Sequence, residues 1–149
     1  MGRESGVRAM TRARRAARKL LVQALYQLQI GGEPWQDIYR QFMADPDSAA
    51  ADADYFRELL MKIAAQRDAL DATLLKYSDI APARLDPIEH GILWLGLVEL
   101  GERPDVPYRV AISEAVELAK RFGATDGHKF VNGVLDRAAA ALRPNERSA

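Results

Sequence analysis

The sequence contains no cysteine. This absence excludes a disulfide framework, a thiolate metal site and a cysteine nucleophile. Histidine occurs only as His90 and His128, and neither has a partner at the spacing of metal ligands, so we expect neither to bind a metal or to catalyse a reaction. The chain also lacks a G-x-G-x-x-G motif, a Walker loop and a nucleophile elbow. We therefore expect no enzymatic activity, no catalytic residue, no metal and no cofactor.

Long apolar runs are also missing. The longest candidate, residues 91–100, is about half as long as a membrane-spanning helix requires. The basic N-terminal residues are not followed by an uninterrupted apolar region with a cleavage site, which argues against a secretory signal. We expect a cytoplasmic protein with no membrane partner.

No segment alternates apolar and polar residues over a useful length, so the sequence predicts no strand and an all-α fold of about seven helices. The 149 residues suit a single domain over 11–145, preceded by a disordered basic lead-in at 1–10 and followed by a polar tail at 146–149. The break at 78–84, which contains Pro82, should separate two helical halves. The predicted helices are residues 11–30, 34–42, a segment from 52 or 54 through 63, 67–77, 87–100, 108–122, and a segment from 125 or 126 to 142.

Charge is distributed unevenly along the chain. Residues 1–19 contain seven cations and only one carboxylate, Glu4, a balance of +6. Because the formal net charge is zero, the other 130 residues carry −6. This asymmetry predicts a basic patch on an acidic body, which would confine a polyanionic ligand to a defined track.

The first predicted helix has two opposed faces. At 100° per residue, Ala17, Ala24, Leu25 and Leu28 fall within roughly 60° of Leu21, which predicts a buried stripe. The opposite side presents cations, an amide and an aromatic ring, a combination that suits a polyanion with flat rings, namely nucleic acid. A solvated charged face is the alternative. The residues on this opposite side are Arg12, Arg15, Lys19, Gln23 and Tyr26.

Two further positions could bind a ligand or serve the fold alone. In residues 122–133 a helix start places Lys129 and backbone N–H groups where an anion could dock, and Phe130 at the margin of the core stripe could stack on a base. Alternatively, Phe130 belongs to the core and Asp126 caps the helix. Glu89 follows Asp86 at the spacing of a capping box, which gives it a purely structural interpretation as well.

Three motifs identify a family resemblance. They are RRAARKLLVQALY at 14–26, DVPYRVAISEAVELAK at 105–120 and FGATDGHKFVNGVLD at 122–136. The sequence resembles the NusB family of bacterial transcription antitermination factors over about residues 11–145. The resemblance implies an all-helical fold of two packed three-helix bundle-like halves, one to about residue 80 and the other from about residue 85.

The same resemblance implies a function in transcription. It implies binding to the boxA element of nascent RNA together with the ribosomal small-subunit protein NusE, within the antitermination complex on RNA polymerase, notably on ribosomal RNA operons. Together with the helical wheel of the first helix and the uneven charge distribution, the resemblance implies a set of RNA-binding residues. They are Arg12, Arg14, Arg15, Arg18, Lys19, Asp126, Lys129, Phe130 and Asn132. It also implies that Tyr26 and Glu89 face NusE, so that Glu89 would act as both cap and partner contact.

Two functional classes are alternatives to an RNA-binding antitermination factor. A similar helical domain precedes the catalytic domain of some ribosomal RNA cytosine methyltransferases, but such an enzyme needs a glycine-rich cofactor loop and a reactive cysteine, which these residues lack. A protein-only adaptor could instead dock its basic helix on an acidic partner. The sequence leaves the oligomeric state open between a monomer and a homodimer.

Overall fold

Helices account for the regular structure of this protein. The computed structural model describes the backbone of residues 3–148 and the side chains of residues 6–146; Met1, Gly2 and Ala149 lie outside the described residues. Residues 3–148 form eight α-helices and two short 3-10 helices and contain no strand, which confirms the all-α prediction. The α-helices are α1 (Arg3–Ile30), α2 (Trp35–Ala44), α3 (Ala53–Ala65), α4 (Arg67–Tyr77), α5 (Pro87–Glu102), α6 (Tyr108–Phe122), α7 (Gly127–Leu142) and α8 (Pro144–Ser148); the 3-10 helices are Pro46–Ala50 and Pro82–Arg84.

The start of α1 differs from the prediction. The helix begins at Arg3 and includes residues 3–10, which we expected to be disordered. Thr11, where we expected the helix to begin, lies inside it, and its hydroxyl donates a hydrogen bond to the carbonyl of Val7 at 2.9 Å. Threonine can form this bond to the preceding turn within a helix, so its presence alone does not define a helix start.

The chain divides into two compact units between Ala64 and Ala65. In the first unit, α1 supplies the buried stripe that the sequence predicts, and α2 and α3 complete the core with Ile38 and a Tyr-Phe-x-x-Leu-Leu pattern. The ring of Phe56 lies 6.2 Å from the ring of Tyr39 and 5.7 Å from that of Phe42, centroid to centroid. The buried residues of the α1 stripe include Ala17, Leu21, Ala24, Leu25 and Leu28.

The second unit is organised around α5. Every residue of α5 from Glu89 to Leu100 is buried, and α6 and α7 pack on it and on each other. Asp86 caps α5 as predicted, since its carboxylate accepts hydrogen bonds from the backbone N–H groups of Ile88 at 3.1 Å and Glu89 at 3.2 Å.

The boundary between the units lies before α4, not at the predicted break near residues 80–85. Asp71 on α4 lies 2.6 Å from His90 Nε2 and accepts a hydrogen bond from Trp94 Nε1 at 2.8 Å, which binds α4 to α5. Arg137 on α7 donates two hydrogen bonds to the carbonyl of Tyr77, at the end of α4. These contacts join α4 to residues of the second unit that are far from it in sequence. The boundary between the units therefore does not coincide with the proline-containing loop at 78–84.

The chain after α7 forms a short helix, α8, in which Glu146 begins the predicted polar tail. Glu146 on α8 accepts two hydrogen bonds from Arg143 Nη1 and one, at 2.9 Å, from the backbone N–H of Tyr108 at the start of α6. Arg143 in turn donates to the carbonyls of Glu99, Leu100, Arg103 and Val106 at and beyond the end of α5. This segment therefore satisfies both helix ends that flank the α5–α6 connection.

No α-helix among the described residues is long and apolar enough to span a membrane.

Candidate nucleic-acid interface

The outward side of α1 carries a line of exposed polar side chains, here called the α1 cationic face: Arg12, Arg15, Lys19, Gln23 and Tyr26. Successive members are three or four residues apart, so they share one side of the helix. Tyr26, at the end of the line, is 42% exposed. The face thus presents three cations followed by an amide and an aromatic ring, as the helical wheel predicts.

Two of the predicted RNA-binding arginines are not part of this face. The Arg18 side chain is only 3% exposed, and its guanidinium carbon lies 5.6 Å from the centre of the Tyr55 ring on α3. The guanidinium carbon of Arg14, which is half-buried, lies 4.5 Å from the same ring. Both arginines therefore pack on Tyr55 within the first unit, and the burial of Arg18 leaves little of its surface for a direct contact with RNA.

The turn between α6 and α7 has an unusual backbone at Asp126. Its φ of 66° places this residue in the left-handed region, and its side chain makes no capping hydrogen bond. Asp126 therefore does not cap α7 through its side chain, contrary to the structural alternative for this residue. Its Oδ1 instead lies 3.4 Å from Lys129 Nζ, and both side chains are about two-thirds or more exposed.

The first turns of α7 separate a buried side from an outward side. Val131 and Val134 are fully buried, whereas Lys129 and Asn132 are exposed and lie three residues apart on the outward side. Phe130 is half-buried, which agrees with its predicted position at the margin of the core stripe. An ammonium, an amide and a partly accessible ring therefore lie close together on α7.

Glu89 lies beneath this turn. It is 8% exposed, and its Oε2 accepts a long hydrogen bond, 3.5 Å, from the backbone N–H of Ala124. A Cβ atom at Gly127 would lie 2.5 Å from Glu89 Oε1, so the absence of a side chain there leaves room for the carboxylate. Glu89 consequently places a negative charge beside the start of α7, where the helix dipole favours an anion.

The capping-box interpretation of Glu89 needs correction. Its carboxylate does not return the capping bond to Asp86, because it reaches the α6–α7 turn. Its burial also leaves little of the side chain for direct contact with a partner protein. The position at the start of α7 where an anion could dock is therefore adjacent to this internal carboxylate.

Comparison with known proteins gives one family. The model of the NusB family matches residues 15–140, most of the chain. The chain belongs to the NusB family.

Relatives agree with this NusB assignment. Proteins from Idiomarina loihiensis and Escherichia coli O139:H28, each called "Transcription antitermination protein NusB", are 48% identical to the chain over 135 residues, which is 91% of this chain and 97% of each relative. The solved structure of T. maritima NusB has a TM-score of 0.78 at 27% identity and covers 91% of this chain and 96% of that one. The all-helical fold is therefore the NusB fold.

The NusB candidate residues fall into two groups. The α1 cationic face lies in the first unit, and Glu89, Asp126, Lys129, Phe130 and Asn132 lie in the second. In the second unit Glu89 and the α6–α7 turn are in contact, and Asp126 pairs with Lys129. Each group is a local constellation with its own geometry.

One residue that shapes the site, Tyr55, was not identified from the sequence. Tyr55 is 3% exposed, and it holds Arg14 and Arg18 at its ring. Its position in the apolar pattern of α3 predicts burial but gives no sign that cations pack on it, because the pairing joins side chains about 40 residues apart.

Proposed function

We propose that this NusB family member is an RNA-binding transcription antitermination factor. It would bind the boxA element of nascent RNA together with NusE and take part in the antitermination complex on RNA polymerase, notably on ribosomal RNA operons. The observation that carries the proposal is the α1 cationic face, which lies opposite the buried stripe of the same helix. The name of the relatives, transcription antitermination protein, supports the same class of function.

The chemistry of the two groups suits different parts of an RNA strand. The α1 cationic face offers the guanidinium groups of Arg12 and Arg15 and the ammonium group of Lys19. These groups bind phosphate, and the affinity they provide falls as the salt concentration rises. On α7, Asn132 can pair with a base edge and Phe130 can stack on an unstacked base, the two means by which single-stranded RNA is read. We assign phosphate binding to the first group and base contact to the second.

We assign the contacts with NusE differently from what the family resemblance implies. Tyr26 has an exposed ring and a hydroxyl at the end of the α1 cationic face, so we propose that it contacts NusE. Glu89 is buried, so we propose that it acts indirectly, by holding the α6–α7 turn that precedes Lys129 and Phe130 on α7. Arg14 and Arg18 act indirectly too, by packing on Tyr55 beneath the face.

Two arginine substitutions separate contact from support. Arg15→Gln should lower the slope of log affinity against log salt by about 0.7, the value for one phosphate of a single strand, and leave the free energy of unfolding within about 0.5 kcal/mol. Arg18→Met should leave that slope unchanged but lower the free energy of unfolding by about 1–2 kcal/mol, because a buried packing partner of Tyr55 is altered. Anisotropy titrations over a salt series and urea denaturation measure the two quantities, and the reverse pattern would refute this division of roles.

The function itself is tested by titrating a labelled boxA RNA and a scrambled RNA of equal length and composition, each with and without NusE. We expect NusE to raise the affinity for boxA RNA more than for the scrambled RNA. Equal affinity for the two RNAs in the presence of NusE would reject the antitermination assignment. It would favour the adaptor alternative, in which the cationic face docks on an acidic protein, since any cationic surface binds RNA in a salt-dependent way.

A further inference from the structure

The first turns of α1 extend beyond the part of the chain that the NusB family model matches. That match begins at residue 15, whereas α1 begins at Arg3. Every residue from Gly6 to Arg12 is exposed, so this part of the helix projects with none of its side chains packed into a core. Residues 6–12, here called the projecting turns, lie outside the range that the family model matches.

Arg8 continues the line of the α1 cationic face. It is exposed, and it precedes Arg12, Arg15 and Lys19 by four, seven and eleven residues. At 100° per residue these four side chains lie within roughly 60° of one another around the helix axis. They span about 16 Å along the axis at 1.5 Å per residue, long enough to face several phosphates of one strand.

Among residues 6–12, the part of the first turns of α1 whose side chains the structure describes, the opposite side carries no cation. Val7 and Met10 are 61% and 60% exposed, and they continue the direction of the buried stripe beyond the end of the core. Met10 lies about 160° around the helix from Arg8. The projecting turns therefore have one cationic side and one apolar side, and only the cationic side is continuous with the proposed RNA surface.

We propose that Arg8 is an additional phosphate-binding residue, so that the RNA strand held by the α1 cationic face continues onto the projecting turns. This inference rests on the proposed RNA-binding function. Its physical basis is that a helical register keeps Arg8 in line with Arg12, whereas a disordered segment would distribute its charge over many directions. A ligand phosphate beside Arg8 would add one charge-assisted contact and release one further counterion.

Three variants of the full chain test the inference with a labelled boxA RNA in the presence of NusE. Arg8→Gln removes the proposed contact, and Arg12→Gln removes a contact of the α1 cationic face. The double variant Arg8→Met with Met10→Arg keeps the composition and the net charge but moves the cation to the apolar side of the helix. Circular dichroism of each variant verifies that helix content is unchanged.

We expect Arg8→Gln and the double variant each to lower the salt slope by about 0.7, as Arg12→Gln does. The advantage of the wild-type chain over each variant should then shrink about 2.6-fold between 50 and 200 mM salt, which follows from that slope. Shortening the RNA from the end that lies beside the projecting turns should abolish the difference between Arg8→Gln and wild type before the difference for Arg12→Gln, whereas shortening from the other end should not.

Two results would overturn the inference. If Arg12→Gln lowers the slope and Arg8→Gln does not, the strand does not reach the projecting turns, although the proposed function stands. If Arg8→Gln lowers the salt slope while the double variant keeps the wild-type slope, Arg8 acts through overall charge and not as a positioned contact. A failure of the proposed function is distinct, because boxA and scrambled RNA would then bind equally to the wild-type chain.

Discussion

Replacing Arg143 with methionine is expected to lower the free energy of unfolding by about 3 kcal/mol. Each hydrogen bond from a charged donor stabilises the fold by more than about 1 kcal/mol, and each buried acceptor that loses its donor costs more than about 1 kcal/mol. The Arg143 side chain is 9% exposed, and its guanidinium donates to four backbone carbonyls at distances of 2.6–3.0 Å. Methionine keeps the apolar stem but cannot donate to any of them. Urea denaturation followed by far-ultraviolet circular dichroism measures the loss.

A matched control exists on the surface of the same unit. Arg84 is exposed, and Arg84→Met should change the free energy of unfolding by less than about 0.5 kcal/mol. Glu146→Gln provides an intermediate case, since it keeps a carbonyl oxygen for the Tyr108 N–H but removes the charge that faces Arg143. Similar losses for Arg143→Met and Arg84→Met would show that the carbonyl contacts contribute little.

Replacing Gly96 with valine is expected to lower the free energy of unfolding by about 2 kcal/mol, the typical cost of overfilling a packed core. Gly96 lies where α5 meets α7, and an added Cβ would stand 2.6 Å from Leu135 Cδ1 and 2.9 Å from Cδ2. Leu135 is fully buried, so its side chain has little space to move away. The helices must separate or Leu135 must leave its rotamer, and either change weakens the core of the second unit.

Gly101, on the same helix, provides the control for this prediction. An added Cβ at Gly101 meets no atom within 4 Å, and the residue is exposed. Gly101→Val should therefore change the free energy of unfolding by no more than about 0.5 kcal/mol, since valine has the higher helix propensity and nothing opposes it. If both variants lose the same stability, the cost comes from valine in a helix and not from the α5–α7 contact.

The prediction of an all-α fold follows from properties that neighbouring residues share. An apolar residue every three or four positions identifies the buried stripe of α1 and, on its other side, the exposed cations. The start of α5 is equally local, since Asp86 and Pro87 form a cap and a first turn with residues two or three positions away. These elements could be predicted because each depends on the order of residues within a few turns.

The burial of Arg18 was not predicted, for a different reason. At 100° per residue, Arg14 lies about 20° and Arg18 about 60° from the direction of Leu21, on the buried side of α1. The family resemblance placed both on the RNA surface, while the periodicity already indicated the core. The missing information was a partner that could accommodate a buried guanidinium, and that partner, Tyr55, lies on another helix.

By itself the sequence determined the helical class, the NusB family and the two sides of α1, because periodicity, composition and motif spacing are properties of consecutive residues. Only the tertiary structure decided which arginines remain exposed, that Glu89 lies under the α6–α7 turn, and that Arg143 and Glu146 close the ends of α5 and α6. Each of these depends on a contact between residues 35 or more positions apart. The direction and burial of such side chains are set by packing between helices, which no local pattern encodes.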